Sequence, residues 1–222
     1  MSPAPEGWVR RDLEARTRFF DDHVLDAVAS GVRQVVILGA GYDDRALRFR
    51  AGGVRFFELD HPDTQSDKAT RLQAIQHDDE QLVLVPLDFR HDDPAAALAS
   101  SGHDARRSSL FICEGLLVYL DRQTIVGLLE ALRSRAASGS VLAASLATHR
   151  AGVDSAQVVA TANLRRPSSA SEPWRTILPL EEHLALVTGA GWQLERVVDA
   201  AELGAEVEPG RSLFVSAGPT PA

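Results

Sequence analysis

The chain carries a single cysteine, Cys113, among its 222 residues. One thiol excludes an internal disulfide and any cysteine-based metal cluster. Apolar runs are short: none approaches membrane-spanning length, and the start, MSPAPEGWVRR, lacks the apolar centre of a secretory signal. Positive charge is the minority sign, with 23 Lys and Arg against 31 Asp and Glu and a formal net charge of −8. That balance disfavours nucleic acid as the main partner. The basic clusters that remain (Arg10, Arg11, Arg16 and Arg18, then Arg165 and Arg166) are short enough to be solvated side chains. Internal repeats, low-complexity tracts and His-x-x-x-His spacings are missing too, so no metal centre is expected. What is present, 45% hydrophobic residues, suffices for one sizeable core. The expectation is a soluble, cytoplasmic protein with one domain over residues 1–222.

The most informative stretch runs from Gln34 to Pro62: QVVILGAGYDDRALRF, an Ala-Gly-Gly turn, then VRFFELDHP. It reads as a buried strand from Gln34 to Leu38, a tight Gly39-Ala40-Gly41 loop, a short helix and a second strand ending in acid. A continuous apolar run bounded by glycine suits a parallel strand covered on both faces. Gly39 and Gly41 permit positive φ and let a ligand approach the backbone. Alternation puts Glu58 and Asp60 on one side of the second strand. An acid about 20 residues after the loop is where nucleoside-binding α/β folds hold ribose hydroxyls. A dinucleotide fold would want a third glycine three positions after Gly41. That position is Asp44, preceded by Asp43, and two carboxylates there repel a diphosphate. They suit a cationic or zwitterionic ligand such as S-adenosylmethionine. The bland reading of the same stretch is an ordinary strand–turn–helix corner.

The remaining chain alternates helix and strand. Apolar Leu13, Phe19, Phe20, Val24, Leu25 and Val28 predict a helix over residues 11–29, after a loose start containing Pro3 and Pro5. Arg16 and Arg18 on it are surface charges or, in the sharper reading, one is a fork for a cofactor carboxylate. Pro62 opens a helix to His77. Leu82–Phe89 is the third strand, bent or ended at Pro86, with Asp88 near its end. Asp93 caps a short alanine-rich helix, and Ser109–Glu114 is the fourth strand, delivering Glu114 and Gly115 to the crevice. Asp121 caps the next helix, and Val141–Leu146 is the fifth strand. A polar stretch of about residues 147–175 reads as a lid-like insertion, being too long for a plain connection. Glu181–Ala190 makes a further helix. Trp192–Val198 and Arg211–Ser216 close the fold as antiparallel neighbours. The whole predicts a doubly wound α/β sheet.

QVVILGAGYDDRALRF, FFELDHP, LDF, EGLLVYL and EPWRTILPLEEHLALVTGAGW, in that order, resemble the leucine carboxyl methyltransferase family, most closely its bacterial O-methyltransferase branch with polyketide-tailoring enzymes. The resemblance implies a class I methyltransferase sheet, Rossmann-like, mostly parallel and seven-stranded, with an antiparallel last strand. It implies S-adenosyl-L-methionine as cofactor and carries over site residues one by one. Gly39 and Gly41 match the glycine loop, and Asp60 the ribose acid, with Glu58 its neighbour. Asp88 and Phe89 match the pair flanking adenine, and Glu114 the acid after the fourth strand. Arg16, in EARTRFFDD, is favoured over Arg18 as the match to the carboxylate-binding arginine. Asp44 departs from the family's small hydroxyl residue. Relatives also have more chain before the arginine motif, so an acceptor pocket that is more open, completed by a partner subunit in a homodimer, or partly lost is expected.

A carboxylate acceptor is already ionised at pH 7 and needs no general base, whereas a phenol, with a pKa of about 10, would gain from one. His61 and His149 are the candidates, each with a surface or capping role as the simpler reading. Tyr119 lines an acceptor pocket or packs as an aromatic, and Cys113 is a buried apolar residue. Arg150, Arg165 and Arg166 hint at an anionic acceptor. The expected activity is O-methylation of a small molecule at a carboxyl or phenolic oxygen. The rivals are a catalytically degenerate methyltransferase-fold subunit and a nicotinamide-dependent oxidoreductase, the latter disfavoured by Asp44.

Overall fold

The computed structural model describes residues 6–75, 80–166, 172–204 and 212–221, with side chains from residue 13 onward. Pro3, Pro5, His77, Pro167 and Arg211 lie outside the described residues, as do the side chains of Arg10 and Arg11. The elements in chain order are α1 (Glu6–Ala29), β1 (Gln34–Leu38), α2 (Arg45–Arg48), β2 (Arg55–Asp60), α3 (Pro62–Ala74), β3 (Leu82–Pro86) and α4 (Pro94–Ser100). They continue with β4 (Leu110–Cys113), α5 (Arg122–Ser134), β5 (Val141–Ala147), α6 (Ser155–Leu164), α7 (Leu180–Gly189), β6 (Trp192–Asp199) and β7 (Ser212–Pro219).

These strands form one sheet in the order β3-β2-β1-β4-β5-β7-β6. Pairings from β3 through β5 are parallel, and β7 runs antiparallel to both β5 and β6. The mostly parallel seven-stranded sheet with a reversed last strand is therefore as expected. Every residue of β1 and β4 is buried, which is why their sequences are unbroken apolar runs. On one face Val36, Leu38, Phe57, Leu59 and Phe111 pack under α5 and α7. On the other, Val35, Ile37, Phe56, Ile112 and Phe214 meet Ala15, Phe19, Phe20 and Val24 of α1. Trp192 anchors the α5 side, its indole N–H donating to the Leu129 carbonyl at 3.0 Å.

Several boundaries differ from the sequence reading. The first helix begins at Glu6 rather than residue 11. Leu13 and Leu25, expected inward, are 44% and 52% exposed; the buried face runs through Ala15, Phe19, Phe20, Val24 and Ala27, and a helix turns only one stripe to its sheet. The third helix stops at Ala74. Strand β3 ends at Pro86, which sits on the sheet's edge strand where a missing N–H costs no ladder bond; the Leu87 amide still donates to the Asp60 carbonyl at 2.8 Å, and Asp88 and Phe89 lie beyond it. The stretch 147–175 is not all loop. Ala147 completes β5, Thr148 bridges to Leu178, and α6 spans Ser155–Leu164 without burying any residue.

The connections place the site. From β1 the chain moves outward through β2 to β3, then crosses back so that β4 lies on the other side of β1. The loops after β1 and β4 diverge, opening a crevice at the carboxyl ends of the strands.

Candidate functional site

The glycine loop is tied down by backbone groups. The amides of Gly39 and Ala40 donate to the Leu59 carbonyl at 2.8 and 3.1 Å. The next amide, of Gly41, donates to Asp60 Oδ2 at 2.6 Å. Gly39 and Gly41 have φ of +65° and +49°, the left-handed region that glycine occupies without a Cβ penalty. At Gly39 a Cβ would also come within 2.9 Å of Leu116 Cδ1. The other oxygen of Asp60 accepts from the His61 amide at 2.6 Å. Two backbone donors thus hold the carboxylate in a fixed direction at the end of β2.

Two chambers meet at Gly39. The first, of about 390 Å³, is lined by Asp60, Asp88, Phe89, Gly115 and Tyr119 among others. The second, of about 310 Å³, is lined by Arg16, Asp43, Arg45 and Glu114. Of the seven residues expected at a cofactor, six (Arg16, Gly39, Asp60, Asp88, Phe89 and Glu114) line the two chambers; Gly41 lines neither and is tied to the site by its amide's bond to Asp60. Arg16, not Arg18, faces the chamber: its Nε donates to Glu114 Oε1 at 2.8 Å, while Arg18 is exposed.

The electrostatics are more balanced than the sequence suggested. Asp43 pairs with Arg45, and Asp44 Oδ1 accepts from Arg48 Nε at 2.7 Å. The two carboxylates after the glycine loop are thus neutralised within the protein, so their attraction for a cation is smaller than two bare charges would give. Asp88 is held by Arg90 through Oδ1 and Oδ2, at 3.1 and 2.9 Å. Those hydrogen bonds pull its carboxyl down to about 2, so it is ionised at neutral pH. Glu58 shares the face of Asp60 but lies below the crevice, wholly buried and paired with Lys68. Burial pushes its carboxyl up to about 7, against the lowering effect of Lys68. Lys68 Nζ also donates to the Asp43 carbonyl at 2.6 Å, bracing the loop from α3.

The remaining candidates have structural partners. His61 caps α3, its Nδ1 accepting from the Asp63 amide at 3.3 Å. His149 contacts the Arg150 carbonyl and Ser155 Oγ, each at 2.8 Å. Tyr119 does line the first chamber. Arg166 lies over its ring at 5.5 Å and over Trp174 at 5.0 Å, which joins the end of α6 to the chamber wall by cation–π contact. Arg165 is exposed at the C-terminal end of α6. Cys113 is buried in the core cluster under α5. Among the described residues, no group of three His, Cys, Asp or Glu could hold a metal ion.

Sequence reasoning missed Arg45, Lys68 and Arg90. For Arg45 and Arg90 the signal was present only as charge adjacency, an arginine one or two residues from Asp43, Asp44 and Asp88, which is also what a solvated surface looks like; for Lys68, whose partners lie on β2 and in the glycine loop, there was no local signal.

A family model described as leucine carboxyl methyltransferase matches residues 4–133. A protein of Frankia alni assigned as an S-adenosyl-L-methionine-dependent methyltransferase is 40% identical over 207 residues, 88% of this chain and 69% of its own. A Streptomyces coelicolor protein with the same assignment is 38% identical over 185 residues, 82% of this chain and 62% of its own. The chain thus spans about two thirds of the length of these relatives. Among solved structures, one assigned as a methyltransferase from Thermobifida fusca YX aligns with a TM-score of 0.70 at 18% identity, covering 99% of this chain and 84% of that one. Magnesium protoporphyrin IX methyltransferase from Synechocystis PCC 6803, solved with bound SAH, gives 0.59 at 14% identity, covering 97% and 89%. At such identities the likeness concerns the fold, a class I methyltransferase sheet.

Proposed function

The chain belongs to the leucine carboxyl methyltransferase family, and from that premise we propose that it transfers the methyl group of S-adenosyl-L-methionine to a carboxyl or phenolic oxygen of a small molecule, such as a polyketide or other secondary metabolite. The observation that carries this reading is the pair of chambers meeting at Gly39, one holding a fixed carboxylate at Asp60 and the other an Arg16–Glu114 pair.

The residues fit the group chemically. Asp60 would accept from ribose hydroxyls, and Asp88 with Phe89 would flank the adenine. Gly39 and Gly41 leave the backbone open to close approach. Arg16 and Glu114 together offer a cation and an anion, the complement of a zwitterionic amino-acid group. When bound, the sulfonium supplies an electrophilic methyl group for in-line displacement. The protein's share is to hold the acceptor oxygen in a near-attack geometry and to keep water out. Buried Leu116 and Leu120 form an apolar part of the first chamber's wall, which serves the second task. His61 and His149 already have protein partners, which supports an acceptor that needs no base, a carboxylate ionised at pH 7.

No described helix is long and apolar enough to cross a membrane. We place the activity in the cytoplasm, with a small-molecule acceptor and a homodimer as the assembly. The test is calorimetric titration with S-adenosylmethionine, S-adenosylhomocysteine and NADH, followed by an acceptor screen. Micromolar binding of the first two with turnover on a carboxylic acid or phenol is expected. Binding of NADH alone, or of none, would overturn the reading; binding without turnover on any acceptor would favour a degenerate subunit.

A further inference from the structure

Arg45 is 4% exposed, and for an arginine such burial requires partners. It has three, from three separate parts of the chain. Its Nε donates to Asp21 Oδ1 of α1 at 2.7 Å. Its Nη1 pairs with the Asp43 carboxylate in the glycine loop and lies 2.7 Å from Glu114 Oε2 in the loop after β4. Phe20 of α1 lies beneath the guanidinium, 5.7 Å from ring centre to Cζ.

Glu114 therefore sits between two arginines of different character. Arg16, on Oε1, has a side chain one third exposed. Arg45, on Oε2, is locked by Asp21, Asp43 and Phe20. Oε2 is buried and, despite its closeness to Arg45, accepts no hydrogen bond of good geometry. Oε2 thus stays turned toward Arg45, and Oε1, released when Arg16 turns away, is the oxygen that a donor entering the chamber would meet. Arg16 can swing from Glu114 to a ligand carboxylate at little cost, because solvent already reaches it. Arg45 cannot leave without stranding buried carboxylates.

We propose that Arg45 is the positioning residue for the amino-acid end of the cofactor site, holding Glu114 aimed at a ligand ammonium while Arg16 moves to the ligand carboxylate. The inference rests on the cofactor reading above and adds to it a division of labour between the two arginines. It also gives Asp21 a purpose: through Arg45, helix α1 stabilises the orientation of an acid that follows β4.

The experiment compares two probes, S-adenosylhomocysteine and 5′-methylthioadenosine, which share the nucleoside but differ in the amino-acid group. Arg45→Met should weaken S-adenosylhomocysteine by about 10- to 100-fold, the range of a lost charge-assisted contact, and leave 5′-methylthioadenosine within about twofold. Arg45→Lys, which keeps the charge but not the fork, should recover part of the loss. In a double-mutant cycle with Glu114→Gln, the effect of Arg45→Met should largely vanish, because the two act as a unit. If Arg45→Met does not fold, the same cycle is run with Arg45→Lys. Equal weakening of both probes, or additive effects in the cycle, would overturn the inference while leaving the cofactor reading in place. Failure of the wild-type chain to bind either probe would overturn both.

Discussion

The amide of Gly41 donates to the Asp60 carboxylate at 2.6 Å, so the turn after β1 and the end of β2 are held as one unit. The same carboxylate also accepts from the His61 amide, which leaves its outer lone pairs directed at the chamber. The ligand-facing acid is therefore also the anchor of the loop beside it.

Asp60 should consequently show two separable effects. Asp60→Asn keeps one acceptor oxygen but loses the charge and turns a donor toward one of the two backbone amides, and should weaken S-adenosylhomocysteine by about 1.5–3 kcal/mol with a modest fall in melting temperature. Asp60→Ala also unhooks the loop, so it should lose more affinity and melt several degrees lower. Calorimetry and thermal melts on both variants check this. Equal behaviour of the two would mean that the carboxylate does not anchor the loop.

Gly39 and Gly52 make a contrast within one segment. Gly39 combines φ of +65° with a projected Cβ contact of 2.9 Å to Leu116, so Gly39→Ala should cost about 1–3 kcal/mol. Gly52 has neither strain nor a neighbour within 4 Å, and Gly52→Ala should fall within about 0.5 kcal/mol of wild type. Urea unfolding of the two variants is the measurement. On a Leu116→Ala background, which is itself destabilised by the lost core packing, Gly39→Ala should cost less than in wild type, because the Cδ1 contact is gone and mainly the φ part remains.

The stretch from Gln34 to Asp60 was legible because its signals are local. An unbroken apolar run, two glycines and a terminal acid each constrain the backbone where they occur. The doubly wound character of the sheet followed from the same alternation of helix and strand. Partners distant in sequence were not legible. Nothing in Asp21, Arg45 or Glu114 taken singly says that three elements converge on one guanidinium. Glu58 illustrates the same limit. Alternation correctly put it on the face of Asp60, yet only packing reveals that Lys68 and α3 cover it. Leu13 and Leu25 fit the helical period of α1, but their positions fall outside the stripe that touches the sheet.

Cys113 should be chemically silent while the protein is folded. Burial pushes its thiol up to about 12, and the thiolate is the reactive form. A chromogenic disulfide reagent at pH 8 should react with it only after denaturant is added. Stoichiometric labelling of the native protein within minutes would show that β4 opens to solvent.

Glu58 makes stability depend on pH in a direction opposite to that of a carboxylate whose pKa is lowered on folding. Its carboxyl is raised from 4.5 to about 7, chiefly by burial. Between those values the folded chain keeps the proton that the unfolded chain releases. The folded state then binds more protons, so unfolding free energy falls as pH rises through this window. The destabilisation is absent below about pH 4.5 and complete above about pH 7. Glu58→Gln keeps the shape and hydrogen-bonding capacity but cannot ionise. Relative to wild type, it should therefore gain on the order of 3 kcal/mol between pH 4.5 and pH 8. Lys68 meets a neutral partner in both proteins at the acidic end, so the two should be nearly equal in stability there. Urea unfolding across this range measures the difference, and parallel curves for the two proteins would show that Glu58 does not change its charge there.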